Sequence, residues 1–386
     1  MKSATPLPGS GWMRDDHRIL ADQADRFFAD EVAPGYSTFE AQGFVDRDIW
    51  AKAGAAGLLA PMVPEAHGGA GGDFGHDAVI IESIGKAGCD GFGAALHSAI
   101  VAPYIIHYGS EEQKQRWLPK LVSGEYIGAI AMTEPGAGSD LQGVRTTAKR
   151  DGNHYVINGS KTFITNGQLA NLIIVVTKTA PDKGAKGTSL FIVETDTADG
   201  FKRGRNLEKV GLKANDTSEL FFDNVRVPAH ALLGPEEGQG FVQLMQQLPQ
   251  ERLLIAIQAL ARIDRALNET IAYVKQRKAF GQAIIDFQNT QFTLAECKTE
   301  ATVARAFVDQ CITRHLDGGL DATTASMAKY WVTDLQCKII DQCLQLFGGY
   351  GYMDEYPISR MFRDARVERI YGGTNEIMKL LIARSL

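Results

Sequence analysis

Tyr155-Val156-Ile157-Asn158-Gly159-Ser160-Lys161-Thr162-Phe163-Ile164-Thr165 is the stretch on which the architecture turns. Two β-rich runs flank Asn158-Gly159-Ser160, and Asn and Gly both tolerate positive φ, so the segment reads as a hairpin with its turn at that pair. Residues 172–177, 189–193 and 219–222 carry further strand signals, which makes 125–236 a β domain. Before it, Leu20, Ala24, Phe27, Phe28 and later Ile80, Ile81, Ile84 recur at helical spacing, so 1–124 reads as a helical block. After it, long helical patterns over 241–275, 289–316 and 320–346, with a short helix after Thr374, make 237–386 helical again. The order is α, β, α, without the βαβ alternation of a parallel sheet.

That order and the motifs exclude several enzyme classes. No G-x-G-x-x-G joins a strand to a helix, and H-E-x-x-H, G-x-S-x-G and G-x-x-x-x-G-K-[ST] are absent, so the usual nicotinamide, zinc-protease, hydrolase and P-loop signals are missing. A 386-residue chain has room for two or three domains, and 45% hydrophobic with 22% charged residues is an ordinary globular composition. Forty basic against 46 acidic side chains, a net charge of -6, is the wrong sign for nucleic-acid binding. No apolar run reaches the roughly 18 residues a membrane span needs. The start, Met1-Lys2-Ser3-Ala4-Thr5-Pro6, lacks a signal-peptide core, and Arg384-Ser385-Leu386 does not meet the S-K-L pattern. Five scattered cysteines without a C-x-x-C signal neither a disulfide framework nor a metal site. The expectation is a mature chain that begins here and works in a reducing cytoplasm.

Four segments have the composition of a site. Residues 131–140, Ala-Met-Thr-Glu-Pro-Gly-Ala-Gly-Ser-Asp, combine small residues that admit a ligand to the backbone with the hydroxyls of Thr133 and Ser139; a plain interdomain turn is the competing reading. Residues 273–281 end a long helix with Lys275, Arg277 and Lys278, which equally complement the helix dipole, with Gly281 as its C-cap. The glycine-rich turns at 345–352 and 370–376 abut helices and present amide N–H groups suited to an anion, or to capping. In Leu248-Pro249-Gln250-Glu251-Arg252-Leu253, Glu251 falls on the stripe of Leu244, Leu248 and Ile255. A carboxylate there is costly unless paired or used, and burial raises its pKa toward that of a useful base. A buried ion pair, with Arg252 as partner, stays open.

Together these motifs resemble the acyl-CoA dehydrogenase family of flavoproteins, most closely its long-chain branch. Residues 131–140 match that family's first signature. Residues 345–352 with Asp354, Arg360 and Asp364 match the second, and Gly211, Asp216-Thr217 and 220–228 resemble the exit from its β domain. The resemblance implies a helical N-terminal domain, a central β-barrel-like domain and a C-terminal four-helix bundle, assembled as a homotetramer with FAD. It places Met132, Thr133, Phe163 and Thr165 at the flavin ring, with an aromatic wall at Phe163 where some relatives have Trp. Ser139 comes close to both ligands. Arg277, Phe280, Gln288, Gln345 and Gly349 go to the pyrophosphate and adenosine side from a neighbouring subunit, and Thr374 and Glu376 support FAD from the last turn. Ser139, Arg252, Tyr371 and Leu96 are the candidate acyl-CoA contacts, with Ala94 and Ala95 leaving room for a long or branched tail or simply packing tightly. His97 reads as a helix-end hydrogen bonder.

One departure is informative. Many members carry their catalytic glutamate where this chain has Gly372, whereas the long-chain and isovaleryl branches carry it on the helix that holds Glu251. The resemblance therefore implies Glu251 as the base. Oxidising a saturated acyl thioester removes an α-proton and a β-hydride from unactivated carbons, so enolate charge on the thioester oxygen must be stabilised by aimed donors. The resemblance assigns one donor to the backbone N–H of residue 372, which glycine supplies as well as glutamate. The expected product is a trans-2-enoyl-CoA, with electrons passed to an electron-transfer flavoprotein. Two alternatives stay open: an acyl-CoA oxidase that uses oxygen, and a non-catalytic acyl-CoA or flavin-binding scaffold.

Overall fold

The computed structural model describes residues 11–386, so the leader reading of Met1 to Pro6 lies outside the described residues. Seven helices come first: α1 (Asp15–Phe27), α2 (Tyr36–Gln42), α3 (Arg47–Ala55), α4 (Phe74–Ala87), α5 (Ala94–Leu96), α6 (Ala102–Tyr108) and α7 (Glu111–Val122). Their starts follow capping chemistry. Asp73 accepts a hydrogen bond from the Gly75 N–H at the head of α4, and Ser110 and Gln113 cap α7 reciprocally. α5 and α6 are joined without a break by a π-helical turn, His97–Val101, of the kind that recurs at functional sites.

Seven strands follow: β1 (Gly128–Ala131), β2 (Thr147–Asp151), β3 (His154–Thr165), β4 (Leu172–Lys178), β5 (Thr188–Glu194), β6 (Phe201–Asn206) and β7 (Thr217–Pro228). They form one curled sheet in the order β1-β4-β2-β3-β7-β6, with β5 also on β4. The hairpin expected at Asn158-Gly159 is not there. β3 runs unbroken through that pair, and the chain reverses instead at Gly152-Asn153, the two residues between the paired Asp151 and His154. Asn158-Gly159 sits at a register shift against β7, and Asn158 is tied to Asn224 by two side-chain hydrogen bonds. The pair's tolerance of unusual φ thus serves a bulge, while the neighbouring Asp-Gly-Asn makes the turn. β4 is buried at every position because both its faces are covered. Leu172, Ile174 and Val176 pack against α6 and α7, and Ile173 and Val175 against the other strands.

The C-terminal part is α8 (Gly240–Gln276), a small hairpin of β8 (Lys278–Ala279) and β9 (Gln282–Ala283), then α9 (Gln288–Leu316), α10 (Ala322–Leu346), α11 (Pro357–Ala365) and α12 (Asn375–Ala383). The sequence pattern did not show α11. Gly281 is not the C-cap of α8: that helix ends at Gln276 with Arg277 as its C-cap, and Phe280 and Gly281 form the β8–β9 turn with φ of 51° and 81°. Positive φ at both central residues is what a two-residue hairpin of this twist requires. α8 is central, since a single core joins its residues 253–267 to α4 on one side and to α9 and α10 on the other. The face of α8 toward the first domain carries Glu251.

Candidate active site

α8 passes through Pro249, whose missing N–H interrupts the helical ladder just before Gln250-Glu251. Gln250 is tied on both ends, donating to the Ala99 carbonyl in the π-turn (2.7 Å) and facing His315 Nε2 (3.0 Å). Glu251 is 5% exposed. Its Oε1 accepts a 2.9 Å hydrogen bond from the Tyr104 hydroxyl on α6. Burial pushes its carboxyl up to about 7, against the lowering effects of the Tyr104 hydrogen bond and the Arg252 charge. The side chain is therefore half-ionised near neutrality, a suitable state for a general base. The expected stripe holds in part: Leu244 and Ile255 are buried with Glu251, and Leu248 is half-buried.

Arg252 is not the ion-pair partner of Glu251. Its side chain runs to α10, where Nη1 donates to Ser326 Oγ (3.2 Å), and its buried Nε has no protein partner. Glu251 lies on an N-terminal-domain tyrosine and Arg252 on the C-terminal bundle, as neighbouring residues on a helix point roughly 100° apart.

Gly372 approaches the same helix face. A Cβ added there would lie 2.4 Å from Ile255 Cδ1, one turn beyond Glu251, and the residue has φ of 65°. Position 372 thus confronts the stripe that holds Glu251. Beside it, Tyr371 donates to Glu368 Oε1 (3.2 Å), and buried Glu368 pairs with Arg262, which also holds Asp90. On the other side, Lys329 of α10 donates to the Gly373 carbonyl (2.8 Å) and to Asn375 Oδ1 (2.9 Å). Thr374 caps α12 by accepting from the Ile377 N–H, and Glu376 lies exposed in its first turn.

The residues expected at the flavin ring gather at one end of β1 and β3. The Thr162 N–H donates to the Thr133 carbonyl (3.0 Å), which sets Met132 and Thr133 beside Phe163 and Thr165. Buried Lys161 holds this loop, donating to the Met132 carbonyl (3.0 Å) and pairing with Glu134 (2.9 Å). Glu134 also accepts from the Arg145 and Thr146 N–H groups and the Thr146 hydroxyl. Phe163 falls at a second register shift of β3 against β7, with φ of 60° and 67% exposure. A bulky residue held at positive φ with its ring in the open is strained and wasteful unless something stacks on it, and a planar aromatic ring system such as isoalloxazine fits. Ser139 is exposed on the same loop.

A second cluster suits an anion. Arg277, Gln345 and Gly349 line one groove of about 540 Å³ with Gly348 and Tyr350, and the Arg277 guanidinium sits 5.4 Å from the Tyr350 ring centroid. Phe280, at the hairpin tip beyond it, is 96% exposed, and Gln288 opens α9 on the surface. A cation, an amide and two unhindered glycines fit the diphosphate half of FAD. Leu96 is half-buried in the α5 turn, and Ala94 and Ala95 are packed into the cores on either side. His97 is a structural tie: buried Nε2 donates to the Leu121 carbonyl (2.9 Å), and Nδ1 accepts from the Gly128 N–H (3.0 Å).

Sequence reasoning missed Tyr104, Lys161, Glu134 and Lys329. Lys329 had a readable signal, since it shares a helical stripe with Ala325 and Val332, the kind of position that singled out Glu251. Tyr104 had none, because a tyrosine among apolar residues reads as core.

The chain matches three family descriptions in order: "Acyl-CoA dehydrogenase, N-terminal domain" over residues 14–125, "middle domain" over 129–225 and "C-terminal domain" over 238–386. It is 53% identical to the mitochondrial long-chain specific acyl-CoA dehydrogenase of Sus scrofa over 373 residues, 96% of this chain and 86% of that protein. It is 41% identical to an acyl-CoA dehydrogenase of Bacillus subtilis, covering 93% and 95% of the two chains. The crystal structure of acyl-CoA dehydrogenase from Geobacillus kaustophilus superposes with a TM-score of 0.95 at 50% identity, covering 97% of this chain and 98% of that one.

Proposed function

Because the chain belongs to the acyl-CoA dehydrogenase family, whose members use FAD, we propose that it oxidises long-chain saturated acyl-CoA to the trans-2-enoyl-CoA with Glu251 as its base. The observation that carries the reading is a buried carboxyl held on Tyr104, one helical turn from the Ile255 that the turn of Gly372 packs against. Bound FAD supplies the acceptor for the β-hydride. Everything else falls to the chain. Ionised Glu251 takes the α-proton, and its low-dielectric surroundings make it a stronger base than in water. The Gly372 N–H, free of a side chain, is the donor toward the thioester oxygen as enolate charge develops there. Phe163 and the Met132-Thr133 backbone bind and orient the ring, and Arg277, Gln345 and Gly349 hold the diphosphate side. At 372 any side chain would start from a left-handed backbone and meet Ile255, one helical turn from Glu251. That collision supports a base at 251 in place of 372.

The preference for long chains is supported by the 53% identity to long-chain relatives. An electron-transfer flavoprotein is the proposed acceptor, with oxygen as the rival; peroxide yield measured against reduction of that protein separates them. A homotetramer is supported by the apolar side chains that the helical C-terminal domain leaves in water, among them Phe292, Val303, Ile370 and Leu380. Static light scattering tests it.

Anaerobic titration with acyl-CoAs of varied length tests the central claim. The wild type is expected to bleach, with long chains reacting fastest. Glu251→Gln is expected to keep its FAD and lose about 10²- to 10⁴-fold in reduction rate. Wild-type reduction by that variant overturns the assignment.

A further inference from the structure

Lys329 is wholly buried and, among the described residues, has no carboxylate within ion-pair distance. Its two acceptors are neutral oxygens, the Gly373 carbonyl and Asn375 Oδ1. Asn375 is itself locked, with its amide donating to the Tyr330 carbonyl, Thr333 Oγ1 and Asp334 Oδ1. Ser326, three residues before Lys329 on α10, is the acceptor for Arg252. One face of α10 therefore grips both halves of the site: Ser326 holds the residue next to Glu251, and Lys329 and Thr333 hold the turn that carries Gly372. Their spacing of three and four places them in one row.

We propose that Lys329 is a positioning residue for the dehydrogenation, clamping the turn of residues 371–375 so that the Gly372 N–H faces the substrate carbonyl and setting a buried positive charge, hydrogen-bonded only to neutral oxygens, behind that donor. The proposal rests on Glu251 as base and Gly372 as donor, and extends that reading to the element that sets their separation. The ammonium contacts a carbonyl two peptide groups along the chain from the Gly372 N–H. Its charge therefore favours the electron-rich enolate over the neutral thioester. In a dry site such a fixed charge acts on the transition state with little screening. A turn serving only to start α12 would need the Thr374 cap and no buried cation. The charged groups around Lys329 are Glu368, Arg252, Asp334 and Glu376, and burial has the largest effect on its ammonium, pushing it down to about 8.

The test uses Lys329→Met, close in volume, and Lys329→Gln, which keeps a donor without the charge. Lys329→Met keeps the volume and Lys329→Gln keeps a donor toward the acceptors left behind, so folding is checked with the two variants together. Both FAD-loaded proteins are titrated with a 3-thiaacyl-CoA, which is not oxidised and whose deprotonated form gives a long-wavelength band beside oxidised flavin. In both variants the pH at which that band half-forms is expected to rise by about one unit, a tenfold loss of α-proton acidification. Reduction by acyl-CoA should fall at least tenfold while substrate affinity and flavin content change less than threefold. A purely structural lysine would move affinity, flavin content and melting together and leave the band where it was. Wild-type band position and reduction rate in either variant overturn the proposal. Glu251→Gln runs alongside. Its loss of activity with normal Lys329 variants removes the lysine's role alone, whereas impaired Lys329 variants with an active Glu251→Gln remove the base and leave the clamp standing.

Discussion

Two backbone segments border the site, and each is pinned by a buried lysine to a carbonyl oxygen, yet the two pins differ in charge. Lys161 holds Met132 at the proposed flavin side and is neutralised on the spot by Glu134, which is in turn saturated by three further donors. Lys329 holds Gly373 at the proposed substrate side and, among the described residues, hydrogen-bonds only neutral oxygens. Burial pushes both ammonium groups down to about 8. A closed ion pair is a mechanical device, because its field cancels a few ångströms away. An open cation is also an electrostatic one. On the proposed function, the segment that would hold a flat ring has the first kind, and the segment where negative charge would develop has the second.

The contrast breaks most readily at Lys161. Lys161→Met strands Glu134 as a buried charge and is expected to destabilise the FAD-loaded protein by about 3–5 kcal/mol in denaturant unfolding, much of it recovered by Glu134→Gln in the same chain. Lys329→Met breaks no ion pair but leaves the Gly373 carbonyl and Asn375 Oδ1 short of a donor, and should lose about 1–3 kcal/mol. Equal losses would mean that the two pins do the same job.

Glu251 sharpens the point from the carboxylate side. Its folded pKa of about 7 lies above the ordinary 4.5, so the folded state holds its proton more tightly. The stability this gives is complete below pH 4.5 and lost as pH rises through 7. Glu251→Gln should therefore melt higher than wild type at pH 8, by on the order of 1–3 kcal/mol, with the gap closing toward pH 4.5. A gap that is constant with pH contradicts a buried, pKa-raised base.

Gly372→Ala tests how closely the turn meets α8. The left-handed backbone and the Ile255 contact together should lower stability by roughly 1–2 kcal/mol and slow flavin reduction, with Ile255→Val restoring part of both. The mildest change is Tyr104→Phe. It removes a hydrogen bond donated to the ionised carboxylate, so the rising limb of kcat, expected near pH 7 in the wild type from the raised Glu251 carboxyl, should move up by about half to one unit. A limb that stays put shows that Tyr104 does not hold the base.

Legibility followed locality. The long helices α8, α9 and α10 were evident from period alone, and their observed ends lie within two residues of those expected. Glu251 stood out because a carboxylate on an apolar stripe violates the pattern around it. The Asn158-Gly159 turn was misplaced because the same dipeptide suits a bulge and a reversal, and only pairing with β7 separates them. Gly281 was misassigned for a similar reason, since a glycine after a helix suits a cap and a hairpin alike.

What the amino-acid order determined unaided was the succession of helical, β and helical parts, the family motifs, and the presence of one carboxylate out of place at 251. Tertiary structure alone decided what surrounds that carboxylate: Tyr104 from 147 residues away, a turn at Gly372 from the far end of the chain packed on Ile255 one helical turn on, and a row on α10 that holds Arg252 and the carbonyl of Gly373. The physical reason is that periodicity reports which face of an element is buried, whereas hydrogen bonds across domains depend on which faces meet, and no short-range pattern encodes that.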